Sequence, residues 1–445
     1  MSAFFLVENC WPTSPIDDLL DLQPNLPASF DQYSIIALLP PFIKPLPVPI
    51  LLEDVNYLNT KGALFVLDGE IRAALIHAFV DLLLMQGVIF SAAAYVDMKY
   101  LHTLGFVSRK EARRLYPQRT KLLYDFGCES DRITVIQTLL FMTYWHETLD
   151  DEKDASHWIG IAIPLAETIG MNRLSGHAKT PEKKLWKRIW SACYIRDCLV
   201  SLGLRRPAKI RPDKLNMSML EESDFGIQVL PVTVVVNPAE CAFTRNIEMQ
   251  SELAAMFVAL AQLSLCISRL LGTQYSLGFR AGNSKYGTTK STMMLFPKAS
   301  NVKSIESLDE ELEVWEQSLP SCCQNRTFSQ ADREHGRSTI VLHNTLLHML
   351  YHAAVIALHW PSCRPFVRTN VDRQALSRLK VSEAAIQISQ SATMLHSVGL
   401  DCPLPTPGVT VIMLAMVSHI SVMDETSGTH AHELVKSELE QCIRV

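Results

Sequence analysis

KLLYDFGCESDRITVIQTLLFMTYWHETLDDEKDASHWIGIAIPLAETIGMNRL (residues 121–174) and, after a polar link, LWKRIWSACYIRDCLVSLGLRRPAKIRPDKLNMSMLEESDF (185–225) hold three amphipathic segments in succession. In the first, Ser130 or Asp131 can cap a helix start. Ile133, Ile136, Leu139, Leu140 and Thr143 then recur at the three-to-four spacing of one buried helical face. The second, from about Asp154 to Gly170, sets Trp158, Ile161, Leu165 and Ile169 on one stripe. Pro164 inside it is expected to kink the helix, because proline lacks an amide and crowds the preceding turn. Thr180-Pro181 opens the third as a cap and first-turn pair. It runs through Leu185, Ile189, Trp190, Cys193, Ile195 and Leu199 to a stop at Gly203. These segments predict a packed helical unit with aromatic anchors.

The motifs YDFGCESDRITVIQTLLFMTYW (124–145), KDASHWIGIAIPLAETIGMNR (153–173) and LWKRIWSACYIRDCLVSLGLRRPAKI (185–210) resemble the middle homology region of fungal zinc-cluster transcription factors, the cutinase-regulator subgroup above all. Upstream, LLPPFIKPLPVPILLEDVNYLNTKGAL (38–64), FSAAAYVDMKYLHTLGF (90–106) and SRKEARR (108–114) continue the likeness. Downstream, LDEELEVWEQSLP (308–320) and LLHMLYHAAVIALHWP (346–361) carry it further, so it covers most of residues 39–366. Two stretches depart from the family pattern. The segments IRAALIHAFVDL and MQGVIFSAAAYVDM run together at Leu82–Met85, where the family carries an insert. Either a helix-loop element is lost or the gene model is faulty. After GLRRPAKI, the chain reads RPDKLNMSMLEESDF in place of the family's Cys-Asp-Val-like run.

Composition bounds the rest. A chain of 445 residues with 48% apolar residues can hold a sizeable core. Its net charge of −5 argues against a self-sufficient nucleic-acid binder, which needs a basic footprint. Eleven cysteines without framework spacing read as reduced thiols of an intracellular protein. Residues 71–96 are long enough for a bilayer span, but Arg72, His77, Asp81 and Gln86 interrupt them. Residues 409–423 are short and contain His419, so no span is predicted.

Residues 1–40 read as a flexible Pro-rich tail, in which SPIDDLLDL is either an interaction motif or part of the tether. Residues 41–230 form the regulatory region, and 231–445 its helical continuation. VTVVV at 232–236 is the best strand candidate, with an extended link as the alternative. A helix is predicted over 246–271, with Leu253, Phe257, Leu260, Ala261 and Leu263 in core register, and a long polar loop over 272–303. Ile305, Leu308, Leu312, Trp315 and Leu319 show coiled-coil spacing for only two heptads, which favours a core-packed helix. Helices at 338–359, 371–398 and 407–423 complete the expected set. The fold class is therefore all-α, a large multi-helix array with an apolar core and long polar loops.

Chemistry-bearing patterns are few. The family's zinc cluster needs six cysteines in two CxxC-type triplets, yet Cys10 is the only cysteine before Cys128 and no CxxC occurs. Adjacent Cys322 and Cys323 read as ordinary thiols. His348, His352 and His359 share a helical face with a His-x3-His spacing, set against a core reading with no identifiable partner ligand. His146, Glu147, Asp150, Asp154 and His157 offer hard ligands, set against an acidic loop capping the next helix. Three basic groups, Arg109-Lys110-Arg113-Arg114, Lys183-Lys184-Lys187-Arg188 and Arg205-Arg206-Lys209-Arg211, read as solvated, salt-bridged faces before nuclear-import or phosphate contacts. No GxSxG, GxxxxGK or GxGxxG motif occurs. No catalytic, cofactor or metal residue is nominated.

The resemblance then implies a nuclear, pathway-specific transcriptional regulator, with a fungal secondary-metabolite gene cluster as the narrower target. It would touch DNA only indirectly, through a DNA-binding transcription factor partner or a homodimer, with a small-molecule effector as a further partner and no membrane. A divergent helical enzyme and a truncated zinc-cluster gene are the alternatives.

Overall fold

The computed structural model describes residues 50–64, 82–94, 96, 98–145, 153–173, 180–211, 218–229, 246–283, 289–298, 302–326, 328, 332, 336–363, 371–400, 404–425 and 430–444. The tail at 1–40, the VTVVV candidate and residues 71–81 of the apolar run at 71–96 lie outside them, as do His146, Glu147 and Asp150. The described chain is helical apart from one hairpin, an all-α multi-helix structure with a buried apolar core. It divides into two compact units. One comprises residues 1–193, 216–219 and 223–247, the other residues 194–215, 220–222 and 248–445.

The first unit holds α1 (Leu52–Thr60), α2 (Leu82–Ala92), α3 (Met98–Thr103), α4 (Arg109–Asp125), α5 (Arg132–Met142) and α6 (Ala155–Thr168). Side-chain caps start these helices where the chain supplies them. Ser108 accepts the amide of Glu111, and Glu111 accepts that of Val107 in return. Asp131 accepts the amides of Ile133 and Thr134, and Asp154 accepts that of His157. Helix α2 packs on α4 and α5, and α5 on α6. Their core gathers Leu83, Leu84, Phe90, Tyr116, Leu123 and Phe141, with the Trp145 ring set edge-on to Phe90. Helix α6 continues through Pro164, but its buried stripe differs from the expected one. Trp158, Ile159, Ala162, Ile163 and Ala166 face inward, while Ile161, Leu165 and Ile169 are half-buried. A helix apolar on nearly all sides leaves its inward face weakly specified by period alone. The small Ala162 and Ala166 occupy that inward face of a helix packed on α5.

Helix α7 (Pro181–Leu204) begins with Thr180 accepting the amide of Lys183, and the division between the units falls within it. The second unit continues with α8 (Ile247–Gln274), the strands β1 (Tyr275–Asn283) and β2 (Thr289–Pro297), α9 (Val302–Gln317), α10 (Ser338–His359), α11 (Val371–Ser397), α12 (Thr406–Glu425) and α13 (His430–Arg444). Helix α10 is the centre. It is buried over nearly its whole length and packs on α9, α11 and α12, and α13 packs on α11 and α12. Trp315 of α9 stacks on Tyr351 at 5.5 Å and donates to the carbonyl of Ala259 at 3.0 Å, the core-packed role expected for that segment.

Two expectations fail here. The stretch 272–303 is not a polar loop through most of its length. Strands β1 and β2 pair antiparallel from Tyr275↔Pro297 to Asn283↔Thr289. Tyr275, Leu277 and Phe279 alternate along one strand and Met293 and Leu295 along the other, a period-two signal diluted by Gly, Ser, Thr and Lys. Gly278 allows the ribbon to close, since a Cβ there would meet the Phe296 ring at 2.8 Å. The second failure is α13, which the expected helix set omits. Val435, Leu439 and Cys442 fall at its i, i+4 and i+7 positions.

Among the described residues three helices are long and apolar enough to cross a membrane, Ile247–Gln274, Ser338–Cys363 and Thr406–Met423. The first two are largely buried within the protein and the third is 39% buried.

Candidate functional site

Most of the predicted chemistry resolves into structural roles, and the polar residues of greatest consequence lie on or beside α7. The Lys183–Arg188 group was expected to be a solvated, salt-bridged face; the salt bridge is present but, at Lys187 and Arg188, the solvation is not. These two are 1% and 2% exposed. Lys187 Nζ sits 2.5 Å from Asp224 Oδ2, Arg188 donates to the Asp224 carbonyl at 3.1 Å, and Lys184 to that of Ser223 at 2.6 Å. All these residues belong to the first unit. Ser223, Asp224 and Phe225 are thereby fastened to the helix, with the Phe225 ring beside the Arg188 guanidinium at 5.9 Å. A charge removed from water must be paired, so the ion pair is a condition of burying this face. The apolar run IWSACYIRDCLV directly after Lys187-Arg188 is the sequence signal for their burial.

Further along the sequence of α7, in the second unit, Asp197 is 2% exposed and its Oδ2 accepts the amides of Lys209 at 2.7 Å and Ile210 at 2.9 Å. Burial raises its carboxyl to about 6 even though those two amides and the Lys209 charge pull it down. The Arg205–Arg211 group thus owes its path to an acid that sequence reasoning did not single out. Arg205 is the one non-glycine among the described residues with positive φ, at 52°, and its carbonyl accepts the Leu295 amide at 2.6 Å. Beside it, Leu271, Tyr275, Leu295, Trp360 and Leu414 line a small apolar cavity of about 30 Å³. That is room for a water molecule or two, far below a drug-sized site.

The histidines of α10 diverge. His348 Nε2 bonds the Cys323 carbonyl at 2.9 Å, while His359 pairs with Asp309 at 3.2 Å and Ser377 at 3.3 Å. Burial first, and the neighbouring His348 second, lowers His352 to about 4. Cys322 and Cys323 are free thiols with sulfurs 3.8 Å apart. Asp154 is the α6 cap already described, and His157 lies edge-on to Trp158. In the first basic group, Arg109 donates to the carbonyls of Ala93 and Val96, and Arg113 to that of Tyr144. Among the described residues no three His, Cys, Asp or Glu side chains are placed to hold a metal ion. Ser389 and His419 do meet, at 2.8 Å, but they are buried, and Ser389 also meets the Cys442 thiol at 3.1 Å.

What the chain is similar to settles its family. The model of the fungal specific transcription factor domain matches residues 76–317, more than half of the chain. The protein belongs to the fungal specific transcription factor domain family. Within this transcription factor family it is 44% identical to cutinase transcription factor 1 beta of Fusarium vanettenii, over 94% of this chain and 52% of that protein. It is 28% identical to transcription factor cpaR of Aspergillus oryzae, over 86% of this chain and 69% of that protein. It is 22% identical to the fusaric acid cluster transcription factor FUB12 of Fusarium oxysporum f. sp. lycopersici, over 40% of this chain and 27% of that protein. The chain thus spans about half the length of cutinase transcription factor 1 beta. No solved structure matches it. These relatives are transcription factors, not enzymes, and the family matches the helical regulatory domain found here.

Proposed function

We propose that this domain serves a pathway-specific regulator that acts in the nucleus on a secondary-metabolite gene cluster, through a partner carrying the DNA-binding capacity. The observation that carries the reading is the likeness to cutinase transcription factor 1 beta across 94% of the chain. The cluster-level target is supported by the name of one relative, the fusaric acid cluster transcription factor. In this reading residues 41–230 are the regulatory region and 231–445 its continuation. The net charge of −5 and the inward hydrogen bonds of Arg109, Arg113, Lys187 and Arg188 favour indirect contact with DNA. A small-molecule effector would act by preferring one of two conformations. The 30 Å³ cavity beside Arg205 would have to open to admit anything larger than water.

The test is transcript profiling after deletion of the gene under inducing conditions. Coordinated loss of neighbouring biosynthetic transcripts, restored by this 445-residue reading frame, is the expected result. Unchanged transcripts beside one accumulating intermediate would overturn it in favour of an enzyme. Reading the genomic DNA upstream for two CxxC triplets decides whether a zinc cluster is encoded with the domain or brought by another protein.

A further inference from the structure

Beyond α9 the chain makes a short 3-10 turn, Ser321–Cys323, in which the Cys323 amide donates to the Pro320 carbonyl at 2.8 Å. Its neighbouring cysteines bring their thiols together, sulfur to sulfur at 3.8 Å. Side chains of α10 hold the backbone on which those thiols stand. Asn344 Nδ2 donates to the carbonyls of Cys322 and Gln324 at 3.3 Å each, and His348 Nε2 bonds that of Cys323 at 2.9 Å. Three successive carbonyls are thus tied to the central helix of the second unit. Cys323 is fully buried, while Cys322 is half-buried beside the exposed Ser321, so the pair is approached from the Cys322 side.

We propose that Cys322 and Cys323 form a dithiol site for a trivalent arsenical, which both sulfurs hold in one ring. An organic arsenoxide exchanges its oxygen for the two sulfurs. Both S–H bonds and the bonding of arsenic to oxygen break, two arsenic–sulfur bonds form, and the oxygen leaves as one water carrying both thiol protons. Arsenic stays trivalent, so no oxidant or reductant enters. The first bond forms at Cys322, and the second is then intramolecular. The geometry disfavours the other fates of a cysteine pair. Neighbouring Cα atoms across a trans peptide stand about 3.8 Å apart, short of the roughly 4.4–6.8 Å that a disulfide ordinarily spans. The carbonyls tied to α10 resist the rearrangement a direct S–S bond would need, whereas a bridging arsenic leaves the sulfurs unbonded to each other. Zinc takes four ligands, and among the described residues no three His, Cys, Asp or Glu side chains are placed to hold a metal ion. Three-coordinate arsenic needs only two thiols and keeps a substituent of its own. Burial first, and the Cys322 thiol second, push the Cys323 thiol well up, so the site resists the thiolate that oxidation or metal binding requires. A ring of arsenic and two sulfurs is uncharged and meets no such penalty. This site stands on the dithiol geometry and needs nothing from the regulator reading.

Phenylarsine oxide titrated into the reduced full chain reads the site by native mass spectrometry. At equimolar probe the wild type should carry one phenylarsenic group with one water lost, and peptide mapping should place it on Cys322 and Cys323. Cys322→Ser leaves a single thiol and should weaken binding about a hundredfold or more, the usual scale of a lost second attachment. Because Cys322 is half-buried, that variant should keep its helical circular dichroism and melting temperature. Cys363→Ser, at the other half-buried cysteine among the described residues, should leave binding unchanged. The dithiol 2,3-dimercaptopropanol should strip the arsenic, and glutathione at equal thiol concentration should not. Equal affinity in wild type and Cys322→Ser, ready removal by glutathione, or an adduct mapped to other cysteines overturns the proposal. The mapping is read on the wild type, so it decides the matter even if a variant folds poorly. Neither outcome bears on the transcript experiment.

Discussion

Replacing Lys187 by methionine probes the polar packing between α7 and the Ser223–Phe225 segment in the first unit. Methionine keeps the length and most of the volume of the lysine stem, so the perturbation is close to the removal of one charge. Lys187 is 1% exposed and its ammonium lies 2.5 Å from an Asp224 carboxylate that is itself 4% exposed. Breaking a buried pair by deleting one partner costs about 3–5 kcal/mol, because the other charge stays out of water uncompensated. At about 2–4 °C per kcal/mol for a unit of this size, the first-unit transition should fall by roughly 10 °C in scanning calorimetry of the full chain.

Adding Asp224→Asn to Lys187→Met removes the stranded charge and should recover about 2 kcal/mol or more of the loss, a coupling read from the double-mutant cycle. If Lys187→Met costs under about 1 kcal/mol, or if the double variant is as unstable as the sum of the singles, the pair does not hold this face.

Asp197→Ala should cost about 2–4 kcal/mol in the second unit by orphaning the Lys209 and Ile210 amides, as read from its thermal transition. Asp197→Asn should keep an acceptor and change the pH response instead. With its folded value raised to about 6, Asp197 contributes stability that is present below an ordinary Asp value of 3.8 and is lost as pH rises through 6. The asparagine variant should lack that limb, and an unchanged pH profile would refute the assignment. For His352, lowered to about 4, the sign is reversed: its contribution is present above 6.5 and lost as pH falls towards 4. His352→Leu should flatten that acid limb by roughly 2 kcal/mol in urea titrations at the two pH values. Asp131→Ala removes the α5 cap and should destabilise the first unit by about 1 kcal/mol, seen as faster amide exchange at Ile133 and Thr134.

How much was legible in the sequence depended on whether a residue's role was local. Caps at Asp131, Asp154 and Thr180 act on amides two or three residues away, and each helix begins where its cap stands. Long helices such as α8 and α10 announced themselves by an apolar period sustained over many turns. The hairpin did not, because pairing between Leu277 and Leu295 links residues far apart in a chain whose intervening composition resembles a loop. The candidate polar residues were opaque for the same reason. Lys187 and Arg188 look like half of a basic surface patch until Asp224, 36 residues from Arg188, is brought against them. Asp197 stands in an apolar run whose other members explain the helix without it.

That pattern bears on what the family likeness can say. Trp158, Ile159, Ile189, Trp190, Asp197 and Lys187, all within the motifs that carry the resemblance, are buried. Asp224 and Phe225 close the same stretch and are buried with them. Those motifs therefore encode how the helices pack and how their few charges are neutralised, which two regulators of different pathways can share without sharing a target. Choice of partner must lie on surfaces that packing leaves free. The exposed Val409, Met413, Val417 and Ile420 of α12 fall downstream of the matched region, which ends at residue 317. A residue such as Met413, 55% exposed, can change there without disturbing the core beneath it, so Met413→Ala should leave the melting temperature of the second unit in place.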